Sequence, residues 1–518
     1  MSSNCNPLKC LGQFVLTFGF EELAWNKPEQ LCIGRVFRFD CLPVDLINKR
    51  RDLMTSRLLQ SPMLAMTAAL LTASVALGGP PITPTDSAGK RSTEALSRRA
   101  LTAGKDESAN AIAGLRSMGP EGLRAFLEAN SAEIEAAVKA HGDSRNQSLR
   151  REGNQDNQLD QSNQVLAALD SICQQKDCYA SQLYWYTDLE QAKAAARAQG
   201  KSILSLRLLG RLDEDLSCAN SRLSRITLYA NEQVSKLLRE RFVLHWQSVR
   251  AVPKVTIDFG DGRKMERTLT GNSVHYILDS EGRLIDVLPG MYGPGAFMRE
   301  LVRASSTATD LAASRTDEER KTALRRYHEA RFNEVENAWL NDVRRTGLTV
   351  APSREIPNDM GPRSNPPSAL RAAAAAISKA VMVERPVLRG MSEDPKSLDS
   401  IGNDAGWLMI AGLHAGDATL DQATRALMSF KDPSLTGARF LTAITALEHT
   451  IAEDTVRNEY VFRARIHRWL ASGVVDSDLV SLNEKIYAEL FLTPSWDTWL
   501  GLRPMSSYSG IDNDGVQK

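Results

Sequence analysis

Cysteine is the residue type whose placement in this chain offers the most chemistry. Of the seven cysteines, Cys5, Cys10, Cys32 and Cys41 lie in a leader set aside below, which leaves Cys173, Cys178 and Cys218. An odd number leaves one thiol over if the other two pair. Cys173 and Cys178 stand close together in CQQKDC, and an oxidising compartment favours a small local disulfide there. The competing reading is two reduced thiols on a helix end and a loop; the pair alone supplies too few ligands for a metal. Cys218 is then the leftover thiol, and it too has two readings. It is either a nucleophile that forms mixed disulfides or a small buried apolar group, since free cysteine is among the most buried residue types.

Histidines add less. His245 and His275 fall on neighbouring strand patterns, where, together with Cys218, they offer a copper or zinc site; strand histidines satisfied by ordinary hydrogen bonds are the simpler expectation. Glu448, His449 and Glu453 share one helical stretch, and metal binding there would need ligands from another helix, so a solvated charged face is expected. Tyr184, Trp185 and Tyr186 read as edge packing, and Trp496, Asp497 and Trp499 as an anchor for the tail. The sequence contains no CxxCH haem attachment, P-loop, GxSxG elbow or HExxH. No cofactor and no metal site is assigned.

Composition excludes some classes and names none. At 518 residues the chain exceeds what one core usually organises. Its 42% hydrophobic and 24% charged residues are ordinary for a globular protein. Lys plus Arg equals Asp plus Glu at 63 each, so no global field draws the chain to nucleic acid or an anionic surface.

The N-terminal region bears on the compartment. Residues 63–77, MLAMTAALLTASVAL, form an uncharged apolar run preceded by Lys49, Arg50, Arg51 and Arg57. A span needs roughly 20 such residues, so no stable membrane span is expected unless the segment stays uncleaved as an anchor. The run matches the apolar part of a secretory signal, with Ser74, Val75 and Ala76 as small residues for cleavage. Met54 would open a signal of normal length, which makes 54–77 the signal peptide and 1–53 a doubtful leader with a mis-assigned start. The expected location is periplasmic or secreted.

Beyond the signal, helical periodicity over 109–118 and 121–138 predicts a helical segment within 78–141. Residues 142–163 are polar and read as a solvated linker or mobile loop. From 180 to 304 helix and strand patterns alternate. DLEQAKAAARAQG is a capped and terminated helix, SILSL a central strand and FVLHWQSV another. VTIDF and KMERTLT form a hairpin whose Asp261-Gly262 pair supplies the positive φ angles. VHYILD and RLIDVLPG are two more strands, and Gly293-Pro294 opens a last helix. A long charged helix follows at 316–345 within 305–348, then a Pro-rich linker at 349–368, a helical region at 369–502 and a polar tail at 503–518.

The order of these elements resembles the thioredoxin-like superfamily. The residues carrying the resemblance are YWYTDLEQAKAAARAQGKSILSL, then DLSCANSR, then NEQVSKLLRERFVL, and the closing GNSVHYILDSEGRLIDVLPG. They cover about a quarter of the chain, within 171–304. The resemblance implies an α/β thioredoxin-like domain, a central mixed sheet with flanking helices, between all-α N- and C-terminal regions. In active members a Cys-x-x-Cys motif opens a helix, whose free N–H groups and partial positive charge stabilise the thiolate. The aligned segment here is Cys218-Ala219-Asn220-Ser221. The attacking position is kept and the resolving position is Ser221, which cannot complete a disulfide cycle. Ser273 stands where the family usually has a cis-proline, and the loop before Cys218 carries Asp213, Glu214 and Asp215, which oppose a thiolate. The leading expectation is monothiol exchange with protein thiols or disulfides through Cys218. The alternative is a non-enzymatic scaffold or binding protein on a degenerate thioredoxin fold, and a weaker one is metal handling. The sequence does not specify a substrate or an oligomeric state.

Overall fold

The structure, a computed structural model, describes residues 85–102, 104–146, 154–356, 367–391, 395–473, 478–502 and 510–516. The leader, the signal segment and residues 357–366 of the Pro-rich linker lie outside the described residues. Helices come first: α1 (Thr85–Thr102), α2 (Lys105–Ser117), α3 (Pro120–Ala129), α4 (Ser131–Asn146) and α5 (Asn154–Cys173). The stretch expected as one helix over 121–138 is broken at Asn130, whose side-chain amide donates to Phe126 O at 3.0 Å and closes α3. Helix α5 begins inside the expected 142–163 linker. Its buried Val165, Leu166, Leu169 and Ile172 anchor the second half, and each further residue wound onto an existing helix adds a hydrogen bond, so the polar first half follows. These apolar side chains join Leu115, Leu123, Phe126 and Ile134 in a cluster that also holds Cys173 and Cys178. The two sulfurs lie at disulfide distance, with Cα atoms 6.2 Å apart.

The short helix α6 (Cys178–Ser181) leads into a mixed α/β unit. Strands β1 (Trp185–Tyr186), β2 (Ser202–Leu209) and β3 (Phe242–Arg250) run parallel, β6 (Ser273–Leu278) pairs antiparallel with β2, and β7 (Leu284–Pro289) pairs antiparallel with β6. The order in the five-stranded sheet is β1-β3-β2-β6-β7. Between β1 and β2 lies α7 (Leu189–Gln199), capped by the Asp188 carboxylate, which accepts from Gln191 N, and closed by Gly200 at φ +61°. The connection from β2 to β3 contains α8 (Ala219–Ser224), a π-helical turn at Arg225–Tyr229, and α9 (Glu232–Arg241). Every position of β2, β6 and β7 is buried. Cover on both faces is why SILSL reads as a largely apolar run, and the polar Ser205 and Arg207 on one face are buried against His245 and Gln247. The hairpin of β4 (Lys254–Asp258) and β5 (Lys264–Thr268) stands apart from this sheet. Its positive φ angles fall on Gly260 and Gly262, not on Asp261. The 259–263 loop is too long for a two-residue turn, and glycine takes the left-handed positions at no steric cost.

Helix α10 (Pro294–Ala312) crosses the sheet and α11 (Asp317–Thr346) follows, packed along the helix Ala464–Ser472. The apolar core does not stop at residue 304. It runs from Trp185, Leu206 and Val287 to Trp339, Trp407, Ile451, Phe462, Leu470 and Tyr487. Among the described residues no helix is long and apolar enough to cross a membrane.

The sheet register tells against the copper or zinc site offered by His245 and His275 with Cys218. His245 lies opposite Ser205, and His275 opposite Leu206. Successive residues of β2 face opposite sides, so the imidazoles point to opposite faces of the sheet and cannot bind one ion. His245 Nδ1 instead meets Ser205 Oγ at 2.8 Å, and His275 Nε2 meets the Tyr229 hydroxyl at 2.7 Å. Burial lowers both pKa values to about 3; the Arg207 guanidinium adds to the effect at His245. In the unfolded chain both titrate near 6.5, so on acidification the unfolded state takes up protons first. The stability these neutral histidines contribute is therefore full above about pH 6.5 and lost as pH falls toward 3. Urea unfolding midpoints measured across this range should fall steadily, and replacing His275 by Gln should flatten the curve.

Candidate functional site

The thiol of Cys218 is built by the end of β2. Gly210 N donates to Arg250 O at 2.8 Å, and after a loop Cys218 N returns to donate to Leu209 O at 3.0 Å. Cys218 is thereby fixed as the N-cap of α8, with φ −58° and ψ 150°. Its Sγ accepts from Ser221 N at 3.4 Å, the contact through which a helix terminus stabilises an anion. The S–H faces two acceptors, Ser221 Oγ at 3.3 Å and Asn272 O at 3.6 Å. Ser221 Oγ also donates within its own turn, with Cys218 O at 2.9 Å and Ser217 Oγ at 3.0 Å as its neighbours. The loop carboxylates are otherwise engaged. Asp213 and Glu214 pair with Arg211, and Asp215 pairs with Lys431.

Cys218 is 0% exposed, and so are Ser217, Asn220, Ser221 and Ser273. The 270–273 loop presses on it from one side. Gly271 has no room for a side chain, because a Cβ there would collide with Cys218 Cβ. Ser273 opens β6, and among the described residues no peptide is cis. Its N–H donates to Asn272 Oδ1 at 3.0 Å, while its carbonyl accepts from Gly290 N at 2.8 Å. Both main-chain groups are thus used within the chain. From the other side Tyr487 donates its hydroxyl to Asn272 O at 3.0 Å, the carbonyl that faces the thiol. No family model, curated protein or solved structure matches this sequence.

A second constellation was not visible in the sequence. Asp286 of β7 is fully buried; its Oδ2 accepts from Arg463 Nη2 at 2.6 Å and from the Tyr327 hydroxyl at 2.5 Å, and its Oδ1 from Val287 N at 2.7 Å. Burial pushes this carboxyl up, but Arg463 together with its other neighbours, the Tyr327 hydroxyl among them, more than reverses that and holds it well below the usual range. Arg463 Nη1 pairs with Glu300 at 2.7 Å and Glu459 at 3.0 Å, and Arg331 Nη2 reaches the same two carboxylates at 3.0 and 3.3 Å. Beside them His328 Nδ1 and His467 Nδ1 lie 3.0 Å apart, both rings buried and, among the described residues, neither Nε2 with a partner. Burial keeps both imidazoles neutral, His328 at about 4. The signal available in the sequence was Asp286 inside the apolar strand RLIDVLPG, a charge that a doubly covered strand cannot leave unpaired. A cavity of about 210 Å³ adjoins this network, lined by Tyr292, Arg299, Arg331, His414, Glu459 and Tyr460 among others. Of the other acidic expectations, His449 is exposed and Glu448 binds Arg425, whereas Glu453 is buried against Arg457.

Two substitutions probe these sites. Gly271→Ala should cost about 1–3 kcal/mol in urea unfolding through overpacking against Cys218, whereas an unchanged midpoint would mean the 270–273 loop stands off the thiol. Arg463→Met should cost about 3–5 kcal/mol by stranding Asp286, and adding Asp286→Asn should recover part of that loss.

Proposed function

We propose that this chain is a non-enzymatic scaffold or binding protein built on a thioredoxin-like domain, with the flanking helices supplying its partner surface. The observation that carries this reading is the sealed sulfur of Cys218, which has no exposure and two internal acceptors. A thiolate must reach a substrate disulfide along the S–S axis to attack it, and here Ser221, Asn272 and the segment bearing Tyr487 occupy the approach. Support for the domain type comes from the strand order β1-β3-β2-β6-β7, its parallel and antiparallel pairs, and a cysteine capping the helix that follows the central strand. The Cys173 and Cys178 sulfurs at disulfide distance favour an oxidising compartment and the exported reading.

A second reading keeps monothiol exchange with protein thiols or disulfides, because Cys218 Sγ sits at a helix start and accepts Ser221 N–H. It requires the Tyr487 segment to swing away. Maleimide labelling near neutral pH separates the two. The scaffold reading expects Cys218 to react only after denaturant is added. Native labelling faster than that of an ordinary thiol of pKa ~8.5, with mixed disulfides lost in Cys218→Ala, would establish exchange instead.

A further inference from the structure

We propose that Asp286, His328 and His467 bind one divalent first-row transition ion, which ties the sheet to the C-terminal helices. The donors come from three elements, β7, α11 and the helix Ala464–Ser472, and one ligand atom from each lies within 4.8 Å of the others. With metal–nitrogen bonds of about 2.0–2.1 Å, nitrogens 3.0 Å apart subtend about 90° at the ion. That is the angle between adjacent positions of a six-coordinate shell, and two histidines with one carboxylate are a donor set that such ions accept. Both rings are in the neutral form that ligates.

Charge permits a cation here. Across the linked ion pairs five carboxylates, Asp286, Glu300, Glu334, Asp417 and Glu459, face four guanidiniums, Arg299, Arg303, Arg331 and Arg463, and the surplus is negative. The hydrogen bonds from Arg463 and Tyr327 orient the Asp286 carboxylate, as outer partners of ligating carboxylates do, and its Oδ1 has only Val287 N. Without an ion the two Nδ1 atoms share a single N–H···N bond, a weak return for desolvating two rings. Since Asp286, His328 and His467 are all 0% exposed, the ion would be taken up as the chain folds.

The test uses the full chain, expressed without an affinity tag and purified without chelators, with metal counted by mass spectrometry. The expected content is about one ion per chain, falling below about a tenth in His328→Ala and His467→Ala but retained in His245→Ala. So that misfolding of an alanine variant does not decide the test, wild-type protein is also unfolded with chelator and refolded with or without cobalt(II). Visible ligand-field bands and a raised thermal midpoint in the cobalt sample support the site, even where the purified protein is empty. The proposal is overturned if cobalt produces neither, or if bound metal persists in both histidine variants.

Discussion

The fully buried guanidinium of Arg463 is the tie on which the two halves of the described chain depend. It holds Asp286 on the sheet with one nitrogen, and Glu300 of α10 and Glu459 with the other. An ion pair of this kind is a poor source of stability, because desolvation offsets most of the attraction, yet breaking it strands a charge in a medium that cannot solvate it. The arrangement therefore works as a registration device. Strand β7, helix α10 and the C-terminal helices fit together in the one arrangement that satisfies all three carboxylates. With that position set, the apolar core can run on from Val287 to Phe462 and Leu470 without a seam.

That same registration closes the thiol site. Once the C-terminal helices are docked, the 478–502 segment lies over the ends of β2, β3 and β6. Tyr276 donates to Asn483 at 3.0 Å, Arg250 binds the carbonyls of Thr493 at 2.6 Å and Pro494 at 3.2 Å, and Tyr487 donates to Asn272 O. Between these polar anchors Ile486, Leu490 and Phe491 are buried. Exposure of Cys218 is thus a sub-global opening that must break all of these contacts together, which places its cost toward the upper end of local unfolding free energies. A thiol at a helix start can exchange only where a reaction partner can reach it, and Cys218 has the helix start without the access.

How much of this was legible in the sequence follows the distance over which each feature is determined. Asp188 capping α7, Gly200 ending it, and Cys218 standing at the start of a helix are settled within four residues of chain, and each could be read from residue types. The doubly buried strands were legible because cover on both faces leaves a continuous apolar run. Contacts between distant segments were not. Asp286 and Arg463 are 177 residues apart, and Tyr487 and Asn272 are 215 apart. No local pattern says which of the many arginines answers a buried aspartate. The opposed faces of His245 and His275 were lost for a related reason: strand direction and a register shift of one residue decide the face, and neither is written in the strands themselves.

The cavity beside the network bears on what kind of binding the molecule can do. Its arginines are already engaged. Arg299 makes a bidentate pair with Asp417 at 2.9 and 3.0 Å, Arg303 binds Glu334, and Arg331 is divided between Glu300, Glu334 and Glu459. His414 and Tyr460 likewise both donate to Asp342 at 2.5 Å. An anionic ligand entering here would have to displace a carboxylate of the protein, exchanging one charge-assisted contact for another with little net gain. The polar groups in this part of the molecule are spent on holding its own helices in place.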